Sequence, residues 1–381
     1  MLNRYIVIAD TWNAKLSPDQ QAGYTSRVSG RVGIAIQQEY KIPVFFFGAV
    51  TDYDYLMDLK VGAGTGVLVV RNQEDKMLPV AHHFLNQGAA VFVHLADPHS
   101  ENKLQGMEKR AALQRELQET CTGVIATSRA NKAVGLKYNR NTHFLPDSMD
   151  ADKIAGANGK PSFSARSEIN VLTTGYPFHH IGFYLAAREI AAYAKQTGQK
   201  INFSVCTKFP NESQRISHKP VSGFDCYGAM EALAAQGAVT LLPFSVDALH
   251  KAYRETDLGL IPNDPLNELN IWQQERYLKR GTHRVVDGLA YGKPVLAIGQ
   301  NKDADGHDVS GLVLPDSYKE FTSSNAILAA PSLAEGLDAF CGMMPFERVG
   351  MVQKGQEILR KKYTPEIVAK RYHEVFSKAL G

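Results

Sequence analysis

The sequence is short of several features that would place a protein in a class at once. Its 381 residues include four cysteines, Cys121, Cys206, Cys226 and Cys341, widely scattered and without the paired spacing of a metal site. Free thiols of a cytoplasmic chain are the simple expectation. No apolar run is long enough to cross a bilayer. The first one, YIVIA, is closed at once by Asp10, far short of a secretory leader. Charge of one sign is also missing: 42 Lys and Arg face 39 Asp and Glu, and a formal charge of +3 gives no nucleic-acid-binding surface. Two basic stretches, EKRAALQREL and LRKKYTPEIVAKRY, fit solvated helix faces or peripheral contact with the anionic inner face of a membrane. Finally, no G-x-G-x-x-G follows YIVIA; the chain runs DTWNAKLSPDQQAGYTSRVSGRVG, which argues against a dinucleotide oxidoreductase. SGRVG can start a helix, and GAGTG (residues 62–66) precedes a strand-like run and reads as a turn.

What is present is alternation. YIVIA, IPVFFF, GVLVV, AAVFVHL, GVIATS and THFLP are continuous apolar or β-branched runs, separated by helix-like segments such as KMLPVAHHFLNQG. Strands of this kind are buried on both faces, as in a parallel sheet covered by helices. The polar stretch DSMDADKIAGANGKPSFSARSE then interrupts, and the alternation restarts with INVLTTG, NFSVCTK, AVTLLPFS, DLGLIPN, KPVLAIG and NAILAAP. The expected class is α/β, with two Rossmann-like doubly wound domains facing a cleft. Residues 1–150 form the first, 151–168 a linker, 169–362 the second, and 363–381 a terminal helix that returns to the first.

Residues 279–299, KRGTHRVVDGLAYGKPVLAIG, carry the most chemistry. Thr282 precedes the apolar pattern Val285, Val286, Leu289 and Ala290, the place of an N-cap. Gly292 and Pro294 end the helix. A helix start offers backbone N–H groups and a positive dipole end to phosphate, and Lys279 and Arg284 add two cations. Asp287 shares a helix face with His283 and Arg284, where its carboxylate can accept hydrogen bonds from ribose hydroxyls. The competing account is a capped helix with a surface Arg–Asp pair.

DGLAYGKPVLA resembles the Glu-containing helix of retaining glycosyltransferases with the GT-B fold, a group that includes glycogen- and sucrose-synthase-like and bacterial envelope-polysaccharide enzymes. AVTLLPFSVDALHKAYRETDLGLIPN, INVLTTGYPFHHIGFYLAAREI and GVIATSRANKAVGLKYNRNTHFLPDSMD resemble other stretches of that family in the same order. The likeness runs from about Ala89 onward. It implies an enzyme that moves a sugar, with retention and without metal or bound cofactor, from a nucleoside-diphosphate sugar to a glycan, lipid-linked or other acceptor. Asp287 would hold the ribose. Gly281, Thr282, His283 and Arg284 would hold the phosphates, Gly175 would open the donor domain, and Phe244 and Ser245 would meet the base.

The sequence departs from the family at named positions. Lys279 stands where the first acidic residue is expected, and Gly175, Tyr176 and the doublet His179-His180 replace a Gly-Arg and a Lys. Lys279, Arg284 and Lys208 are the cations that would compensate, and His179 would touch a β-phosphate or the donor sugar. His94, Asp97 and His99, at the carboxyl end of AAVFVHL, are placed for acceptor hydroxyls or proton transfer. Asp97-Pro98 also suits a plain turn. His82 and His83, inside a helical pattern, read as structural. A non-catalytic scaffold and a sugar-nucleotide epimerase of the same fold stay open as rivals.

Overall fold

The computed structural model describes residues 1–9, 12–17, 30–70, 75–96, 108–149, 168–175, 179–210, 222–262, 282–302 and 308–381. The chain divides into two compact units. One holds the described residues of Met1–Asp150 and Arg360–Gly381, the other those of Ala151–Leu278 and Thr282–Leu359.

In the first unit strands and helices alternate: β1 (Arg4–Ala9), α1 (Arg31–Tyr40), β2 (Val44–Gly48), α2 (Tyr53–Asp58), β3 (Thr65–Val69), α3 (Met77–Asn86), β4 (Ala90–Leu95), α4 (Glu108–Thr120), β5 (Gly123–Ala126), α5 (Arg129–Tyr138) and β6 (Thr142–Phe144). All six strands are parallel, in the order β2-β1-β3-β4-β5-β6. The period-2 geometry of a strand splits each apolar run between two cores. Ile6 and Ile8 pack with Val67, Val91, Phe84 and Leu117 on one face, while Tyr5 and Val7 pack with Leu68, Phe92 and Ile36 on the other. GAGTG forms the expected turn, with Gly64 at φ 94° just before β3. SGRVG does start a helix, with Gly30 at its N-cap. His83 is structural, its Nε2 lying 3.0 Å from the Leu59 carbonyl oxygen.

The second unit repeats the scheme with β7 (Glu168–Gly175), α6 (His180–Thr197), β8 (Lys200–Thr207), α7 (Cys226–Ala235), β9 (Thr240–Pro243), α8 (Val246–Glu255), β10 (Leu258–Ile261), α9 (His283–Ala290) and β11 (Val295–Ile298). It continues through β12 (Gln300–Lys302), β13 (Asp308–Val313), α10 (Lys319–Ser323), β14 (Leu328–Ala330), α11 (Leu333–Gly342) and α12 (Pro345–Lys362). Its parallel sheet has the order β14-β11-β10-β7-β8-β9. The twelve apolar runs of the sequence are the twelve strands of the two sheets. The antiparallel pair β12–β13 was not expected; QNK has no apolar run to announce it.

The four cysteines are free, three of them buried. Burial pushes the Cys121 thiol up to about 12 and Cys206 up to about 11, so neither is a nucleophile at neutral pH.

The last helix, α13 (Pro365–Ala379), has Pro365 at its first positions, where a missing N–H costs nothing. Val368, Tyr372 and Phe376 lie four apart and form one buried stripe on the first unit's sheet. The Phe376 ring sits 5.3 Å from Tyr5 and 4.6 Å from Phe92. A Cβ on Gly66 would meet the Phe376 ring at 2.6 Å, so only glycine admits it. Phe376→Ala is expected to lower stability by about 3–5 kcal/mol, measured by urea denaturation.

Candidate functional site

In the second sheet strand order reverses between β7 and β10, which lie side by side and lead away in opposite directions. Ligands of open α/β sheets bind outside the carboxyl ends of the strands at such a switch point. Gly175 is the last residue of β7. A Cβ there would stand 2.9 Å from three side-chain atoms at once, Nη2 of Arg284, Cδ2 of His179 and Cζ of Phe183. The bare glycine lets a guanidinium lie against the strand end. The Arg284 Cζ is 5.8 Å from the centre of the Phe183 ring, a cation–π distance that fixes its approach.

Arg284 comes from the first turn of α9, and the packing of that helix explains its reach. Val285, Val286, Leu289 and Ala290 are buried, as their spacing requires. A Cβ on Gly288 would meet Val295 of β11 at 2.5 Å, and one on Gly355 of α12 would meet Leu289 at 2.6 Å. Two glycines therefore bring α9 down onto its neighbours. Gly292, at φ 71°, turns the chain into β11. No acidic residue occupies the first turn of α9, whose positive dipole end and Arg284 together favour an anion.

Around this centre, the Thr207 hydroxyl at the end of β8 donates to the Gly175 carbonyl oxygen at 2.8 Å and lies 3.5 Å from His180 Nε2. His179 holds the N-cap position of α6 but makes no side-chain cap bond. Both histidines are buried against the Phe183 ring, and His180 lies 5.1 Å from Tyr227. Lys208 follows β8 directly and is exposed. The Phe244 N–H donates to the Thr207 carbonyl oxygen at 3.0 Å, and its ring is 40% exposed.

Several expectations are corrected. Thr282 stands at the N-cap of α9, but its hydroxyl takes no cap hydrogen bond; with φ −83° and ψ 1° it is out of the extended conformation from which N-caps bond. Asp287 is only 6% exposed, so it is no member of a surface Arg–Asp pair. The Ser245 hydroxyl accepts the Ala248 N–H at 3.0 Å and caps α8, a use that the sequence reading did not give it. His94 does not follow β4 but lies inside it, enclosed, with Nε2 3.7 Å from the Asp147 carboxylate. Asp97, His99, Lys279 and Gly281 lie outside the described residues, as do Tyr176 and residues 151–167 of the linker, whose last residue, Glu168, opens β7 instead. Thr207, Phe183 and Tyr227 were not anticipated. Of these only Thr207 carried a signal, as the last residue of a strand in the predicted donor domain.

The strand order β9-β8-β7-β10-β11-β14 is that of a dinucleotide-binding Rossmann sheet, and the chain pairs it with a second doubly wound sheet. That is the fold of the GT-B glycosyltransferases. A structure described as "Trehalose-6-phosphate from E. coli bound with UDP-2-fluoro glucose" is similar with a TM-score of 0.64 and 12% identity, covering 98% of this chain and 99% of that one. The alpha,alpha-trehalose 6-phosphate synthase of Burkholderia multivorans gives 0.63 at 11% identity, with 99% of each chain covered. TarM of S. aureus, solved with Fondaparinux, alpha-GlcNAc-glycerol and UDP, gives 0.55 at 11% identity over 85% of this chain and 57% of its own. No family model matches the sequence, and no curated protein matches it. At such identities the likeness is one of fold.

Gly175→Ala is expected to cost about 1–3 kcal/mol in urea denaturation through overpacking against Arg284, His179 and Phe183. Gly342→Ala, where a Cβ would meet nothing within 4 Å, serves as the silent control.

Proposed function

We propose that the chain is a glycosyltransferase that takes a nucleoside-diphosphate sugar as donor and binds it in the second unit. One observation carries this reading: the Arg284 guanidinium, delivered by the start of α9, lies against Gly175 at the topological switch point. A cation and a helix N-terminus together there suit a pyrophosphate. The fold neighbours support the class of donor, since two of them were solved with UDP or a UDP-sugar. UDP is accordingly the first nucleotide to try.

Transfer would proceed by stabilising the charge that develops on the leaving diphosphate. Arg284 and the first-turn N–H groups of α9 supply that stabilisation, with Lys208 exposed at the neighbouring strand end as a further cation. Asp287, one turn into α9, is the candidate for the ribose hydroxyls. Retention of configuration, independence of metal, and a glycan or lipid-linked acceptor belong to the same reading. Retention is the outcome that another neighbour's description names for trehalose-6-phosphate synthase. His94, enclosed within β4 with Nε2 3.7 Å from the Asp147 carboxylate, is less open to an acceptor than its place at the strand end suggested.

Lys279, standing where the family has an acidic residue, favours a second reading: a chain that binds the nucleotide without transferring the sugar. Titration calorimetry with UDP and UDP-glucose, alongside release of UDP from the sugar nucleotide with and without mixed acceptors, separates the two. Binding without release supports the second. An epimerase would convert the donor alone. Arg284→Gln is expected to weaken UDP binding about 10- to 100-fold, the loss of one or two hydrogen bonds to a charged group. Absence of binding to UDP, GDP and ADP at millimolar concentration would overturn both readings.

A further inference from the structure

A second cluster of cations lies in the first unit. The first turn of α5, the edge strand β6 and the last helix α13 border a cavity of about 430 Å³, lined among others by Arg129, Lys132, His143, Arg371 and Glu374. Two of these elements, α5 and β6, are consecutive in the chain, and the third, α13, follows more than two hundred residues later. Three of the named residues are cations and one is a carboxylate, which leaves two positive charges in excess. Among the described residues none of Arg129, Lys132 and Arg371 forms an ion pair. Arg129 is exposed, whereas Lys132 and Arg371 are half-buried, so part of their hydration is already lost.

The folded chain gains nothing internal from this arrangement. Arg129 and Lys132 occupy the first turn of α5 without any acidic residue there, where the helix dipole repels them. His143, on the wall between, reports the same field. Its pKa lies below the ordinary value, first because of burial and then because Lys132 and Lys378 are near, so it is neutral at pH 7. Its Nε2 lies 2.7 Å from Asn141 Oδ1, to which it donates. Unbalanced positive charge around a concave polar surface is what an anion relieves. The volume falls in the usual range of about 300–1,000 Å³ for small-molecule sites, so the anion can carry an organic group.

We propose that this cavity binds a phosphate monoester, free or as the headgroup of a lipid, at a site separate from the nucleotide site of the second unit. A dianionic phosphate matches the two excess charges, and the guanidinium of Arg371 can hold two of its oxygens at once.

The test uses the full chain and two probes. Glycerol phosphate is titrated by calorimetry, and phosphatidylcholine vesicles with and without phosphatidic acid are used in flotation. Binding of glycerol phosphate is expected, weakened about tenfold by Lys132→Gln and by Arg371→Gln. Glu374→Gln removes the one opposing charge and is expected to tighten it severalfold, a gain that a misfolded variant cannot imitate. Flotation that depends on phosphatidic acid, without binding of the free ester, assigns the lipid as the source; binding of the free ester alone assigns a soluble one. The proposal falls if neither probe binds, or if the two Gln substitutions of the cations leave binding unchanged and Glu374→Gln does not strengthen it. UDP titration in the same variants should be unaltered, so failure here and failure of the nucleotide reading are distinguishable.

Discussion

The second unit is organised around how closely α9 can approach its neighbours. A helix that carries a long cation to a strand end must sit within van der Waals contact of the sheet, and any side chain in between would hold it off. Gly288 removes the obstacle toward β11, Gly355 removes it toward α12, and Gly175 removes it at the place where the guanidinium arrives. None of these three needs a positive φ; each is required for closeness alone. The geometry of Arg284 is therefore set by absent side chains as much as by the stripe of Val285, Val286, Leu289 and Ala290 that drives α9 into the core.

Much of this was legible in the sequence because burial on both faces leaves a continuous apolar run. YIVIA and INVLTTG read as strands without any reference to partners, and the pattern that spaces them gives two sheets. The fold was legible at the level of class and domain count. The carboxyl ends of the strands were legible too, which is why Gly175, His179, Arg284 and Lys208 were placed together. What was hidden depends on contacts between distant segments. Nothing in the residues around Phe183 says that its ring will face an arginine a hundred positions on. The spacing that made Thr282 an N-cap gives its position but not its ψ angle, and so not the hydrogen bond. His94 does lie at the carboxyl end of its strand, but an apolar run does not say that a histidine there will be enclosed beside Asp147. Of the cations around His143, Arg371 lies in the basic stretch LRKKYTPEIVAKRY that the sequence singles out, while Arg129 and Lys132 sit in a segment with no such signal.

A formal charge of +3 over 381 residues says little about where phosphate could bind. Both positive sites described here are local: one is a single guanidinium at a helix start, the other a group of three side chains offset by one carboxylate. Such short-range fields fade within a Debye length, about 8 Å in physiological salt, so neither steers a ligand from afar. Each acts on groups already in contact.

The helix α13 belongs to the first unit although it follows the second unit in sequence, and it covers Tyr5, Phe92 and Gly66. On the ribosome, the strands that form that surface emerge before the second unit and the helix that covers it emerges after it. A domain that usually closes soon after its own residues appear must here wait for the whole of the second unit to be synthesised. During that interval an aromatic surface is open to solvent, and a nascent chain stalled just before α13 would carry a completed second unit beside an unfinished first one.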